Sequence, residues 1–236
     1  MATIIAISGF KRSGKDTFAE EVRDALYGYS DIGSVYIEPM AAAIKNVVGQ
    51  IYNVNENSYL DAGLTKETPL PELTKYYLPK VKSAVPFGSY RYVLDLVGET
   101  MKTLFGPDVW VDTIKRYVND TDFFSTGDVL IIPDIRFAQE QKMLVDLEKE
   151  GHHVIRVLVL RKEAIPEWAK HGLVPSNPEE LKIIKKDFRA SNPEIDWCIS
   201  NPKFNFIVKN DGPIEDIKDI AKEFVTKFFK SNSVSN

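Results

Sequence analysis

The chain has 236 residues, 44% of them hydrophobic and 27% charged, enough to bury a core in one large domain or in a domain carrying an insertion. Its formal net charge of −4, with acids and bases interleaved, excludes the one-sided basic balance of a protein that lives on nucleic-acid backbone. No apolar run has the length that crosses a bilayer, and a single cysteine, Cys198, can form neither an intramolecular disulfide nor a thiolate metal site.

The first apolar run, residues 3–8, is too short and too β-branched for a helix and reads as a buried strand. It lacks the basic flank of a signal peptide, so the expectation is a soluble protein of a reducing cytoplasm. Lys15 to Leu26 then spaces Phe18, Val22, Ala25 and Leu26 along one helical face, with Glu20, Glu21, Arg23 and Asp24 turned to water. SVYIE (34–38) predicts a second strand. A helix from about Ala41 would align Ile44, Val47, Val48 and Ile51. Residues 53–90 carry four prolines and weak periodicity, the mark of an irregular insertion.

Two helical patterns follow, 91–105 and 107–118, separated by Gly106-Pro107 with proline placed to open the second. VLIIP (129–133) is a continuous apolar strand, followed by a helix over about 137–149 that Gly151 can terminate. HVIRVLVL (153–160) is a further strand, 161–202 is rich in charge and proline, and FNFIV (204–208) is the last strand. The final helix, Ile214 to Phe229, aligns Ile217, Ile220, Ala221, Phe224 and Phe228, and its phenylalanines make it a candidate homodimer face.

Apolar strands alternating with helices predict an α/β fold: a parallel five-stranded sheet with helices on both faces. The expected organisation is a single domain. Its core spans 1–40, 126–160 and 203–230, with one appendage at about 41–125 and another at about 161–202. Ligands in such sheets bind at the carboxyl ends of the strands, where both appendages would emerge. The three histidines, His152, His153 and His171, suggest no metal cluster, since the adjacent pair suits opposite faces of a strand.

SGFKRSGKDT, Ser8 to Thr17, has the Gly-x4-Gly-Lys spacing of a phosphate-cradling loop, and it lies between a predicted strand and a predicted helix. In that context the backbone N–H groups of residues 10–15 would wrap phosphates at the positive helix end, and Lys15 would reach the terminal ones. A hydroxyl usually follows the lysine and meets the magnesium ion; in this sequence the residue after the lysine is Asp16. Asp16 could contact Mg²⁺ directly or through water, or it could be a helix-start acid while Thr17 helps the metal. PDIR (133–136) ends an apolar strand on Asp134, the place of the second metal-site acid in phosphate-loop enzymes. Asp134 could hold a magnesium-bound water or orient an attacking phosphate oxygen, and Arg136 could clamp an acceptor phosphate. The plain structural alternative pairs Asp134 with Arg136.

The GTPase pattern Asn-Lys-x-Asp is absent, since VKND (208–211) has the wrong order. A small kinase needs little beyond a phosphate loop, an acceptor recess and a basic lid that excludes water. The two appendages suit the last two tasks, with Arg161, Lys162, Lys185, Lys186 and Arg189 as candidate lid cations.

SGFKRSGKDT resembles the phosphate loop of bacteriophage deoxynucleoside monophosphate kinases, members of the nucleoside monophosphate kinase group of P-loop folds. The resemblance extends to IEPMAAAIK, VLDLVGETMKTLFGPDVWV, VLIIPDIRFAQEQ and IVKNDGPIEDI, reaching across most of the chain. It implies a P-loop kinase fold and transfer of the ATP γ-phosphate to a deoxynucleoside 5′-monophosphate with Mg²⁺. Such an enzyme would work in the cytoplasm of a phage host, with no membrane and no direct nucleic-acid partner. The resemblance places the donor site at Gly9, Lys11, Arg12, Ser13, Gly14, Lys15, Asp16 and Thr17, with Asn210 and Asp211 near the adenine. The metal site would draw on Asp16, Thr17 and Asp134. The acceptor pocket would draw on Pro39, Lys45, Arg91, Glu99, Asp108 and Trp110, with Lys15, Asp134 and Arg136 at the reacting centre. Arg91 could hold a phosphate or pair with Glu99, and Trp110 could stack on a base or pack in the core. LVGET carries Asp95 where related kinases often have the glutamine of LQxxG. The same lysine-arginine-serine-glycine-lysine-aspartate run occurs in phosphomevalonate kinases, and the general layout in dephospho-coenzyme A kinases, so those acceptors are the alternative. A non-catalytic ATP-binding module is the alternative of another class.

Overall fold

The structure is a computed structural model and describes residues 1–10, 12–54, 64–74, 86–120, 124–164 and 204–229. The described chain divides into two compact units, Met1–Met40 with Ile114–Asn236, and Ala41–Thr113.

The first unit is built on five parallel strands in the order β2-β3-β1-β4-β5. They are β1 (Thr3–Gly9), β2 (Val35–Ile37), β3 (Val129–Ile132), β4 (His153–Leu160) and β5 (Phe206–Lys209). β1 is central: Ile5 pairs with Ile131 on one side and with Ile155 on the other. Helices flank the sheet, as the uninterrupted apolar strands require. On one face α1 (Lys15–Leu26) lies beside the C-terminal helix, Ile214–Phe228. Phe18, Val22 and Leu26 of α1 meet Ile5, Ile7, Ile131 and Val157 of the sheet, together with Ala221 and Phe224 of the C-terminal helix. The rings of Phe18 and Phe224 stand edge to face, 5.7 Å apart. Ala138–Lys149 is a further helix against the sheet, burying Met143, Leu144 and Leu147. The core faces expected for α1 and the C-terminal helix are therefore the buried ones.

The second unit is helical. It contains α2 (Ala42–Tyr52), the short α3 (Pro71–Thr74) and α4 (Tyr90–Phe105), and it takes in the first part of α5 (Val109–Asn119). The remaining helices are thus α6 (Ala138–Lys149) and α7 (Ile214–Phe228). Val48 of α2, Leu73 of α3 and Tyr90, Val93 and Leu96 of α4 form the core of this unit. Ser89 starts α4 from an extended backbone, its buried hydroxyl accepting the Tyr92 N–H at 3.1 Å. The face expected for α2 is only partly buried: Val48 is enclosed, but Ile51 is 60% exposed.

The sheet order has a direct consequence for ligand binding. The chain leaves β1 toward β2 but leaves β3 toward β4, on the opposite side, so the crossovers diverge at the carboxyl ends of β1 and β3. That divergence opens the crevice where parallel sheets bind ligands. Of the charge-rich segment 161–202, the described part is Arg161–Ala164, with a 3₁₀ turn over Lys162–Ala164. Lys11, Lys185, Lys186, Arg189, His171 and Cys198 lie outside the described residues.

Candidate active site

The carboxyl ends of the five strands bring together the residues that matter. β1 ends at Gly9, and α1 begins at Lys15. Two backbones in the left-handed region, Arg12 (φ 66°) and Gly14 (φ 92°), lie between them. Gly14 is the N-cap of α1 and has no side chain to cap the helix, so the first amides of α1 are without an intrahelical partner. The two glycines are required by close approach. A Cβ on Gly9 would lie 2.4 Å from the Val159 carbonyl oxygen, and one on Gly14 would lie 2.3 Å from Asn210 Nδ2.

Lys15 is the first residue of α1 and is only 6% exposed. Its ammonium donates to the carbonyl oxygens of Gly9 (3.0 Å) and Phe10 (2.9 Å), and it stands 3.9 Å from Asp134 Oδ1. The same Asp134 oxygen accepts Arg136 Nε–H at 2.6 Å. One carboxylate at the end of β3 thus lies between two cations, one from the loop and one from its own strand end. The structure contains the Asp134–Arg136 pair of the plain alternative, and adds Lys15 to it. Two serine hydroxyls, Ser8 Oγ and Ser13 Oγ, are buried with no hydrogen-bond partner among the described residues. Buried polar groups are nearly always satisfied, so hydroxyls without a partner among the described residues are groups that a ligand or a neighbouring residue could satisfy. A phosphate chain fits that donor set. Asp16 is exposed and Thr17 half-buried on the first turn of α1, and Asp134 is half-buried just after β3; all three carry oxygen groups of the kind a hard cation prefers. No group of three or more candidate ligands drawn from His, Cys, Asp and Glu is assembled among the described residues.

The loop after β5 is fastened to this site. Asn210, 6% exposed, donates its amide to the Ser13 carbonyl oxygen at 2.9 Å. Its backbone N–H meets the Leu160 carbonyl oxygen at 2.7 Å. Its side chain therefore braces the glycine loop. Asp211 accepts the Lys162 N–H at 2.7 Å, tying the end of β4 to the same loop. Arg161 pairs with Glu163 at 2.8 Å on the surface.

Pro39 follows β2 in the first unit, half-buried. The remaining residues assigned to the acceptor pocket belong to the second unit, and Arg91, Glu99 and Trp110 have side-chain partners there. Arg91 pairs with Asp95 one turn on (3.3 Å), while Glu99 pairs with Lys102 (3.1 Å), so of the two readings of Arg91 the pair with Glu99 is not the one formed. Trp110 is 9% exposed and donates Nε1–H to the Gly98 carbonyl oxygen at 3.4 Å; of its two readings, the structure has the packing one. Lys45 lies in the first turns of α2 and Asp108 just before α5, exposed, its carbonyl oxygen accepting Asp112 N–H.

Two acids near the site were not foreseen. Glu38, at the end of β2, has its carboxyl held above the ordinary range by burial. Glu140, on the first turn of α6, is 6% exposed and is pushed up to about 7 by burial, although two backbone amides pull the other way. A glutamate three residues into a helix is the N3 half of a capping box, but Phe137 in place of the usual serine or threonine hid the signature.

No protein-family model matches the chain, and no curated protein sequence matches it. Two of the solved structures similar to it are APE1195 (TM-score 0.40, 13% identity, 96% of each chain covered) and an unliganded sugar kinase from Janibacter sp. HTCC2649 (TM-score 0.38, 11% identity, 95% of each chain covered). Likeness at that level carries no argument about substrate or mechanism. No described helix is long and apolar enough to cross a membrane.

Proposed function

We propose that the chain is an ATP-dependent kinase of the P-loop type whose acceptor is a deoxynucleoside 5′-monophosphate. The observation that carries this reading is the cluster at the mouth of the glycine loop: buried Lys15, Asp134 within 3.9 Å of it, and Arg136 bonded to that same carboxylate. When bound, ATP supplies the phosphoryl group and Mg²⁺ offsets its charge, with Asp16, Thr17 and Asp134 as the residues that would hold the ion. Phosphoryl transfer needs positioning and charge compensation more than a strong base, and this chain offers both. The amides of Gly14 and the first turn of α1 present donors to phosphate oxygens. Lys15, already desolvated, would exchange carbonyl partners for phosphate ones with little reorganisation. Arg136 is a planar cation suited to holding an acceptor phosphate in two-point contact, and Asp134 fixes its direction. The acceptor class itself rests on the sequence resemblance. The test is ADP release with a panel of acceptors: every deoxy- and ribonucleoside monophosphate, dephospho-coenzyme A and phosphomevalonate. Turnover on deoxynucleoside monophosphates supports the reading. Turnover only on another acceptor keeps the kinase and replaces its substrate, and ATP binding without turnover on any acceptor refutes it.

A further inference from the structure

Behind the Asp134–Arg136 pair stands Glu140. Its Oε2 accepts the Arg136 N–H at 2.5 Å and the Phe137 N–H at 2.9 Å. Both amides lie where the end of β3 turns into α6, among donors that have no partner within a helix. Phe137, the N-cap, has no side-chain oxygen to satisfy them, so Glu140 holds this turn from inside the helix. A buried carboxylate is an expensive way to do so, because an exposed serine or aspartate at the N-cap would satisfy an amide without desolvating a charge. What the buried acid adds is a fixed geometry. Two bonds converge on one oxygen, and one of them is the backbone N–H of the residue whose guanidinium meets Asp134 at 2.6 Å. The line of contact runs from Glu140 to the Arg136 backbone, through the guanidinium to Asp134, and on to Lys15.

We propose that Glu140 is a positioning residue of the phosphoryl-transfer site, holding the Arg136 backbone so that its guanidinium stays on Asp134. It acts through Arg136 and needs no contact with substrate. Two converging N–H bonds require an acceptor oxygen but not a charge. Glu140→Gln therefore keeps the brace, with the amide oxygen in the place of Oε2, whereas Glu140→Ala removes it.

The activity arm of the test rests on the kinase reading above; the other arm does not. In ligand-free protein, the Arg136 Nε–H resonance and its exchange with water report the guanidinium's bond to Asp134. Glu140→Ala is expected to speed that exchange at least tenfold with far-ultraviolet circular dichroism unchanged, and Glu140→Gln to leave it near the wild-type value. In turnover, Glu140→Ala is expected to lower kcat about 100-fold at a KM for ATP within about twofold, the cost of a misplaced group, while Glu140→Gln stays within about threefold. An Arg136 signal unchanged in the folded alanine variant overturns the proposal. So does a glutamine variant as defective as the alanine one. If the wild-type chain phosphorylates no acceptor, the kinase reading falls, and the resonance arm still decides whether Glu140 braces Arg136.

Discussion

Replacing Glu140 by glutamine should make the protein more stable in alkaline solution and leave it unchanged in acid. The folded protein holds this carboxyl at about 7 against an ordinary 4.5, because burial disfavours the charge. A group raised on folding contributes stability below its unfolded value and loses it as pH rises through its folded value. Between about pH 4.5 and 7 the wild-type protein therefore loses stability that the always-neutral glutamine variant keeps. At 1.36 kcal/mol per tenfold, a displacement from 4.5 to about 7 corresponds to about 3 kcal/mol. With roughly 2–4 °C per kcal/mol for a chain of this size, the melting temperatures should diverge by about 6–12 °C at pH 8.5 and coincide near pH 4.5. Parallel scans of both proteins across that range, in the absence of nucleotide, measure the divergence. Parallel curves would show that the two amide bonds to Glu140 offset its desolvation, and the burial argument would fail.

Asn210→Asp puts a carboxylate oxygen against the Ser13 carbonyl oxygen in place of a donor, and should destabilise the fold by about 1–3 kcal/mol and weaken ADP binding, measured by urea unfolding and calorimetry. Gly14→Ala meets both a left-handed backbone and Asn210 Nδ2 at 2.3 Å, so ADP binding should fall at least tenfold in a protein whose melting temperature also drops. Asp128, buried at the amino end of β3, accepts the N–H groups of Ser34 (2.7 Å) and Ser125 (2.8 Å). Asp128→Ala should cost about 3 kcal/mol by urea unfolding without changing the KM for ATP, since it lies at the opposite end of the strand from the glycine loop.

Periodicity carried the fold a long way because it is a local signal. Lys15–Leu26 is a helix with Phe18, Val22 and Leu26 inside, and His153–Leu160 is a strand, each within the bounds its spacing implied. The parallel five-stranded sheet followed from apolar strands separated by helices. Ile51 falls on the arc that periodicity assigns to the core, yet it lies near the end of α2, and how far a buried face extends depends on what packs there. In the site, the glycine loop was legible because its chemistry is contiguous: Gly9, Gly14 and Lys15 occupy one turn. The contacts that complete it join residues far apart in the chain. Asn210 reaches Ser13 across 197 positions, and no local pattern announces that bond. Arg91 pairs with Asp95 because the two stand one turn apart on one helix face, whereas Glu99, eight residues on, lies about 12 Å further along the axis.

A kinase of this kind requires Lys15 to stand among amides that bind phosphate. Incubating the protein with γ-labelled ATP, Mg²⁺ and each deoxynucleoside monophosphate, wild type beside Lys15→Ala, tests this most directly. Label should pass to a deoxynucleoside monophosphate in the wild type and fall by at least about 10²–10³-fold in a variant that remains folded. Transfer by Lys15→Ala at close to the wild-type rate would contradict it.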